Sequence, residues 1–334
     1  VRYKMTPITT SKLKTTKESS MSASAPYKIL IAAQGEELHW KEAMNARLPD
    51  ATIYTRDDAY NPAEIDFALL WKQPQGMMKS LANVRGIFSL GAGVEHVLSA
   101  PSLPKNVPIV RLEDAGMAQQ MVEYHMYAAL HFMRDFDHYM RSQNEGDWHP
   151  RDVAEISDFR VGVMGLGALG ATVATRLSEM GFTVSGWSRR MKVLERVKTF
   201  AGAETLDEFL AQTDILICLL PRTDKTEGLL DRARLSKLPG NAAIINASRG
   251  AVIVEEDLLR LLDTGHLRGA FLDVAVNEPL PSDHPFWNHP KIRLTPHIAA
   301  ATRIGPAVDQ IAENIARIDK GETPLGLVDR DIGY

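Results

Sequence analysis

The 334-residue chain is 45% apolar and 24% charged, with a formal net charge of −4. That length suits about two domains with buried cores. The charge gives no global pull towards nucleic acid or anionic lipid, and no apolar run approaches the ~20 residues needed to cross a bilayer.

In chain order, residues 1–26 are rich in Ser, Thr and Lys with one acidic residue. They hold too few apolar groups to offset the entropy of ordering, so a disordered N-terminal extension is expected. An extension ahead of a start such as Met21 is preferred to an organelle transit peptide. Apolar runs then predict strands at 27–33, 51–56, 66–71, 86–90 and 108–112, with a helix over 36–47. Residues 117–141 read as one long helix, apolar nearly all round in its middle, which must be covered on every side. One face meeting a second subunit, as a homodimer, is the expectation. Its His125, His131 and His138 read as structural.

A second series of strands follows at 159–165, 182–187, 214–220, 242–247, 269–274 and 292–295, and a last amphipathic helix spans 302–322. Strands alternating with helices predict an α/β fold with parallel sheets. The single cysteine, Cys218, lies in the apolar run "DILICLL". It forms no intrachain disulfide and reads as core, which fits a reducing, cytoplasmic setting.

The second series opens on "FRVGVMGLGALG", which supplies Gly165, Gly167 and Gly170 in the G-x-G-x-x-G spacing between a strand and a helix. Gly165 permits the tight turn, Gly167 lets backbone approach a pyrophosphate, and Gly170 lets helix and strand pack. The helix start at Ala168 and Leu169 offers free N–H groups to phosphate. An acidic residue is expected about 20 residues on, to accept from a ribose 2′-OH. Instead "FTVSGWSRR" places Ser188 there, 23 positions after Gly165, followed by Arg189 and Arg190, with Lys192 nearby. No carboxylate repels a 2′-phosphate, Ser188 can donate a hydrogen bond to one, and the guanidiniums can pair with it. The plain alternative is a solvated basic turn; position favours NADP over NAD.

Three later segments each put one reactive residue just past a strand: Arg249 in "NASRG", Glu278 in "LDVAVNEPLP" and His297 in "TPHIAAAT". Open parallel sheets bind ligands beyond the carboxyl ends of their strands, so all three should share one rim. A histidinium can protonate the alkoxide left by hydride transfer to a ketone, a nearby carboxylate favours the charged imidazole, and arginine can hold a carboxylate or keto oxygen. Proline breaks the spacing of His284, His289 and His297, and hydride transfer needs no metal, so no metal site is expected.

These segments resemble the D-isomer-specific 2-hydroxyacid dehydrogenases over roughly residues 85–322. The resemblance implies Arg249, Glu278 and His297 as the catalytic set, and Asp273 on the nicotinamide carboxamide. It also implies that the turn "LGAGVEH" receives the substrate carboxylate on the backbone at Ala92, Gly93 and Val94; a glycine-rich turn is in any case a small anion nest. The "NASRG" turn at Ala247 and Ser248, and "LLPRTDKTEGLL" with Leu220, Pro221 and Thr226, would lie beside the cofactor. The implied fold is two doubly wound parallel-sheet domains, a Rossmann cofactor domain over 117–299 inserted into a flavodoxin-like substrate domain formed by 27–116 and 300–334.

Within the family, "RLEDAGMAQQMVEY", "GWSRR" and "VDRDIGY" look most like the glyoxylate/hydroxypyruvate reductase A type, which favours NADPH. Trp148 resembles a tryptophan that reaches across a dimer into the neighbouring pocket, or is an anchor packing on its own domain; Trp71 could line the pocket. The reading is a reductase of short 2-oxo acids acting on a small molecule, with no nucleic acid or membrane partner. A reductase of bulkier acids such as phenylpyruvate and a redox-sensing NAD(P)-binding protein stay as alternatives. A 3-phosphoglycerate dehydrogenase is disfavoured, since no regulatory domain is seen after residue 322.

Overall fold

The computed structural model describes residues 26–81 and 83–334; the expected N-terminal extension lies outside these, apart from its last residue. Strands β1 (Lys28–Ala33), β2 (Thr52–Thr55), β3 (Phe67–Trp71), β4 (Gly86–Ser89) and β5 (Ile109–Val110) form a parallel sheet in the order β2-β1-β3-β4-β5. Its central strands are apolar on both faces because both faces are covered: Ile29, Ile31, Phe67, Leu69 and Phe88 pack one way, and Leu30, Ala68, Leu70 and Ile87 the other. Helix α1 (Glu37–Arg47) follows β1, and two single-turn helices, α2 (Met77–Ser80) and α3 (Glu95–Leu98), follow β3 and β4.

The chain leaves this sheet through Asp114, Ala115 and Gly116, three successive residues at positive φ. Helices α4 (Ala118–Met133) and α5 (Phe136–Glu145) come next, where one helix over 117–141 was expected. The break is at Asp135, which is left-handed (φ 55°) and, with Asp137, receives the guanidinium of Arg268. Aspartate tolerates that conformation, and a partly buried arginine needs the carboxylates more than the helix needs continuity.

The second sheet contains β6 (Arg160–Met164), β7 (Thr183–Ser188), β8 (Lys198–Ala201), β9 (Ile215–Cys218), β10 (Ala242–Asn246), β11 (Leu267–Leu272) and β12 (Ile292–Leu294). The order is β12-β11-β10-β9-β6-β7-β8, all parallel. It reverses direction between β6 and β9, the crevice where such sheets bind ligands. The two orders are those of flavodoxin-like and Rossmann sheets, as expected. Helix α6 (Ala168–Met180) follows β6; α7 (Leu206–Ala211), α8 (Arg232–Leu235) and α9 (Glu255–Asp263) complete the second set.

Finally α10 (Ile304–Asp319) returns to the first sheet, burying Ala307, Val308, Ile311 and Ile315 in the same core as β1 and β3. At this crossing Arg303 N–H donates to the Ala115 carbonyl, Gln120 amide N–H to the Ala301 carbonyl, and the Thr302 hydroxyl to the Leu90 carbonyl.

Candidate active site

Strands β10, β11 and β12 are neighbours in register, Asn246 opposite Leu272 and Leu272 opposite Leu294. Arg249, Glu278 and His297 follow their carboxyl ends, so the topology puts all three along one rim. His297 Nδ1 lies 2.7 Å from Glu278 Oε2, while Glu278 Oε1 accepts the Ala275 N–H at 3.2 Å. Burial pushes the Glu278 carboxyl up, but the His297 hydrogen bond and charge, helped by Ala275 and Arg249, outweigh it and hold the group below its usual range. The pairing of Nδ1 leaves Nε2 as the ring atom for exchange with a ligand.

The backbone under His297 is unusual. Its φ is +57°, and its N–H donates to the Asp273 and Thr295 carbonyls at 2.8 and 3.1 Å. Asp273, 2% exposed, builds the turn: Oδ1 accepts from the Thr295 hydroxyl and the Ile298 N–H, and Oδ2 from the Ala299 N–H, all at 2.7–2.8 Å. Tyr124 of α4 adds a 2.6 Å contact to the Thr295 hydroxyl. A buried carboxylate with three donors is a firm support; sequence patterning contains no sign of it, nor of the left-handed histidine. Both oxygens keep lone pairs for a further donor.

Arg249 is the bridge between the two sheets. Nε and an Nη donate to the Glu95 carboxylate at 2.9 and 3.3 Å, and the other Nη to the Ser248 carbonyl at 2.7 Å. Burial raises Glu95, yet the Arg249 charge and hydrogen bond hold it below the ordinary value. Asn246 orders the turn that delivers Arg249: its Oδ1 accepts from the Ser248 N–H and hydroxyl, and its amide donates to the Arg249 carbonyl. The guanidinium lies directly over Gly93, where an added Cβ would meet an Nη at 1.9 Å. Glu95 sits in the expected anion-binding turn, but nothing local marked it as Arg249's partner, 154 residues away.

In the 90–96 turn, the Ser89 hydroxyl donates to the Gly93 carbonyl at 2.6 Å. No protein acceptor for the N–H groups of Ala92, Gly93 or Val94 occurs among the described residues. Trp71, at the end of β3, packs its six-membered ring on Gly91 and meets His96 edge-on at 4.9 Å, so it flanks this turn. Trp148 is 95% exposed and thus not covered by the described residues.

Across the crevice the glycine loop has the shape its spacing demanded. Gly165 has φ +99°, and a Cβ on Gly170 would fall 1.8 Å from the Gly165 carbonyl oxygen. A Cβ on Gly167 would meet nothing within 4 Å, and no side chain caps α6 there. The uncapped helix start therefore faces open space at Gly167, as a pyrophosphate requires. Next to it the Leu219 N–H donates to Met164, buried Leu220 follows, and the Thr226 hydroxyl donates to the Pro221 carbonyl, closing the 221–226 turn. Buried Cys218 lies 3.5 Å from the Ser248 hydroxyl, beside Ala247.

At the end of β7, Ser188 is 8% exposed and its hydroxyl donates to the Arg190 carbonyl at 2.7 Å, so it shapes the turn that presents the two arginines. Arg189, Arg190 and Lys192 are exposed, with no carboxylate partner among the described residues. The histidines weighed as a metal set face different carboxylates, His284 meeting Glu255 and His289 meeting Asp263, each at 3.3 Å. No helix among the described residues is long and apolar enough to cross a membrane.

Residues 126–299 match the family described as "D-isomer specific 2-hydroxyacid dehydrogenase, NAD binding domain". Glyoxylate/hydroxypyruvate reductase A of Serratia proteamaculans is 43% identical over 303 residues, 88% of this chain and 96% of that protein. A D-isomer specific 2-hydroxyacid dehydrogenase of Xanthobacter autotrophicus Py2, solved with NADPH and MES, superposes with a TM-score of 0.89 at 38% identity, covering 93% of this chain and all of that one. An NADPH-dependent glyoxylate/hydroxypyruvate reductase of Sinorhizobium meliloti, solved with NADP and sulfate, gives 0.86 at 35% identity, covering 92% and 100%.

Proposed function

Because the chain belongs to the D-isomer specific 2-hydroxyacid dehydrogenase family, an oxidoreductase family, we propose that it is an NADPH-dependent reductase of short 2-oxo acids, glyoxylate and hydroxypyruvate first among them. The observation that carries the reading is the pairing of two features on one sheet: the His297–Glu278 couple beside Arg249, and the acid-free turn of Arg189 and Arg190 at the end of β7. The names of the Serratia and Sinorhizobium proteins support the substrate class, and NADP in the solved relatives supports the cofactor.

The residues present fit the dinucleotide: open backbone at Gly167, the uncapped start of α6, and free guanidiniums where a 2′-phosphate would fall. Ala168–Gly170 would hold the pyrophosphate, Arg189 and Arg190 the 2′-phosphate, Leu220, Pro221 and Thr226 the adjoining ribose and phosphates, and Ala247, Ser248 and Asp273 the nicotinamide end. When bound, NADPH supplies a hydride to the carbonyl carbon. The chain's residues do the rest. The N–H groups of Ala92, Gly93 and Val94 and the Arg249 guanidinium orient the substrate carboxylate and carbonyl. His297, charged and held by Glu278, gives its Nε2 proton to the alkoxide oxygen, leaving a 2-hydroxy acid.

Residues 27–116 with 300–334 act as the substrate domain, and 117–299 as the cofactor domain, with closure of the crevice excluding water. A homodimer completes the reading, since Tyr127, Phe136, Met140 and Trp148 leave large apolar surface along α4, α5 and the loop after them.

The test is oxidation of NADPH and NADH side by side with glyoxylate as acceptor. The expected result is turnover with a preference for NADPH of about tenfold or more, the worth of one charge-assisted phosphate contact. Preference for NADH would make the arginines surface charge. Turnover only with larger 2-oxo acids would move the substrate class.

A further inference from the structure

The segment after α10 returns to the first sheet and then leaves it. Val328 N–H donates to the Ile109 carbonyl at 2.8 Å, and Arg111 N–H to the Gly326 carbonyl at 2.9 Å, so residues 326–328 run antiparallel along the edge of β5. Arg330 anchors the next residues to the Val107 carbonyl. Asp329 then folds the chain sharply: its carboxylate accepts the N–H groups of Asp331 and Ile332, its carbonyl that of Gly333, and its own N–H donates to the Tyr334 carbonyl. That turn brings the segment against two loops of the second sheet. A Cβ on Gly333 would lie 3.4 Å from Thr223, in the loop between Pro221 and Thr226. The guanidinium carbon of Arg189 stands 5.3 Å from the Tyr334 ring centroid.

We infer that Tyr334 is a positioning residue for cofactor discrimination, a platform that holds Arg189 with its N–H fork turned to the 2′-phosphate. The inference rests on the reading of Arg189 as a phosphate ligand. An aromatic face suits this task better than a carboxylate. A carboxylate would occupy the in-plane donors of the guanidinium and repel a phosphate. A ring attracts the cation through its face and leaves those donors free. Stacking also confines a long, exposed side chain before the ligand arrives, so less rotamer freedom is lost on binding. Because the platform is fixed to β5 of the first sheet, the discriminating arginine is braced from the body that does not carry it.

The experiment is titration of the full chain with NADPH, NADH, 2′,5′-ADP and 5′-AMP. Tyr334→Ala and Tyr334→Leu should each weaken NADPH and 2′,5′-ADP about two- to fivefold, the worth of an exposed cation–π contact. NADH and 5′-AMP should be unchanged, kcat with saturating NADPH should hold, and Tyr334→Phe should bind as the parent does. Equal weakening of all four ligands, or none, would overturn the inference by making the segment a plain structural strap or a bystander. Arg189→Ala separates it from the reading beneath. If that change lowers NADPH affinity and Tyr334→Ala adds nothing in its background, both stand. If Arg189→Ala matters but Tyr334→Ala in the parent does not, only the platform falls. If Arg189→Ala leaves the NADPH-to-NADH ratio untouched, the phosphate reading falls and takes the platform with it.

Discussion

The rim beyond β10–β12 and the turn at the end of β7 belong to one sheet and are finished to different degrees. On the first, every reactive side chain is partnered: His297 with Glu278, Arg249 with Glu95, Asp273 with three donors. On the second, Arg189 and Arg190 stand exposed without a carboxylate partner among the described residues, and Ser188 shapes their turn. On the function proposed above, the difference follows from what each end has to do. A proton donor must be oriented and charged before the substrate arrives, so its neighbours are built in. A phosphate clamp works through charge that nothing else has neutralised, so its carboxylates are left out.

The largest break of that contrast would come from the chemical rim itself. His297→Ala should lower turnover about 10²- to 10⁴-fold, the usual contribution of a positioned proton donor, with NADPH affinity unchanged. The two effects are separable by steady-state kinetics and a direct binding titration. Loss of NADPH affinity by a comparable factor would mean that the two ends are one structural unit rather than two.

A second break comes from acid. The chemical rim is rooted in α4, whose Tyr124 contacts Thr295 and whose His125 lies fully buried next to it. Burial pushes His125 down to about 4, against the Met121 carbonyl and the Asp273 charge, which favour the cation. Its pKa in the folded protein lies below the unfolded one, so the unfolded chain binds the proton more tightly. Stability present above the ordinary histidine value is therefore lost as pH falls from about 6.5 towards about 4. The loss over that window is about 3 kcal/mol. His125→Gln should flatten it, read as the melting midpoint against pH. A parent curve flat over the window would remove His125 from the account.

How much of this was legible follows the range of the interactions. The alternating buried strands and the glycine turn are local patterns, and both sheets could be read from them. The shared rim of Arg249, Glu278 and His297 followed from chain order, because each sits just past a strand of a parallel sheet. Short edge strand β8, "KTFA", has one buried residue in four and was not anticipated. The break at Asp135 depends on Arg268, 133 residues away, and Trp148's exposure and the Arg189–Tyr334 contact likewise need the assembled chain. Propensity is blind to a partner that only the fold brings near.

The finest distinction concerns Glu95, which makes Arg249 half of a completed ion pair rather than a waiting cation. Arg249 gives Nε and one Nη to Glu95, so on the proposed function the substrate carboxylate and Glu95 would be two anions on one guanidinium. Glu95→Gln keeps an oxygen for Nε and removes the competing charge. The pair is about 30% exposed on both sides (29% and 31%), so solvent screens it and the effect is small. The expected outcome is a KM for glyoxylate lowered about two- to fivefold with kcat little changed. A KM raised severalfold would give Glu95 the opposite part: a strut without which Arg249 leaves its place over Gly93. The chemical rim would then depend on its built-in partner in full, and the contrast with the bare arginines of the other end would sharpen.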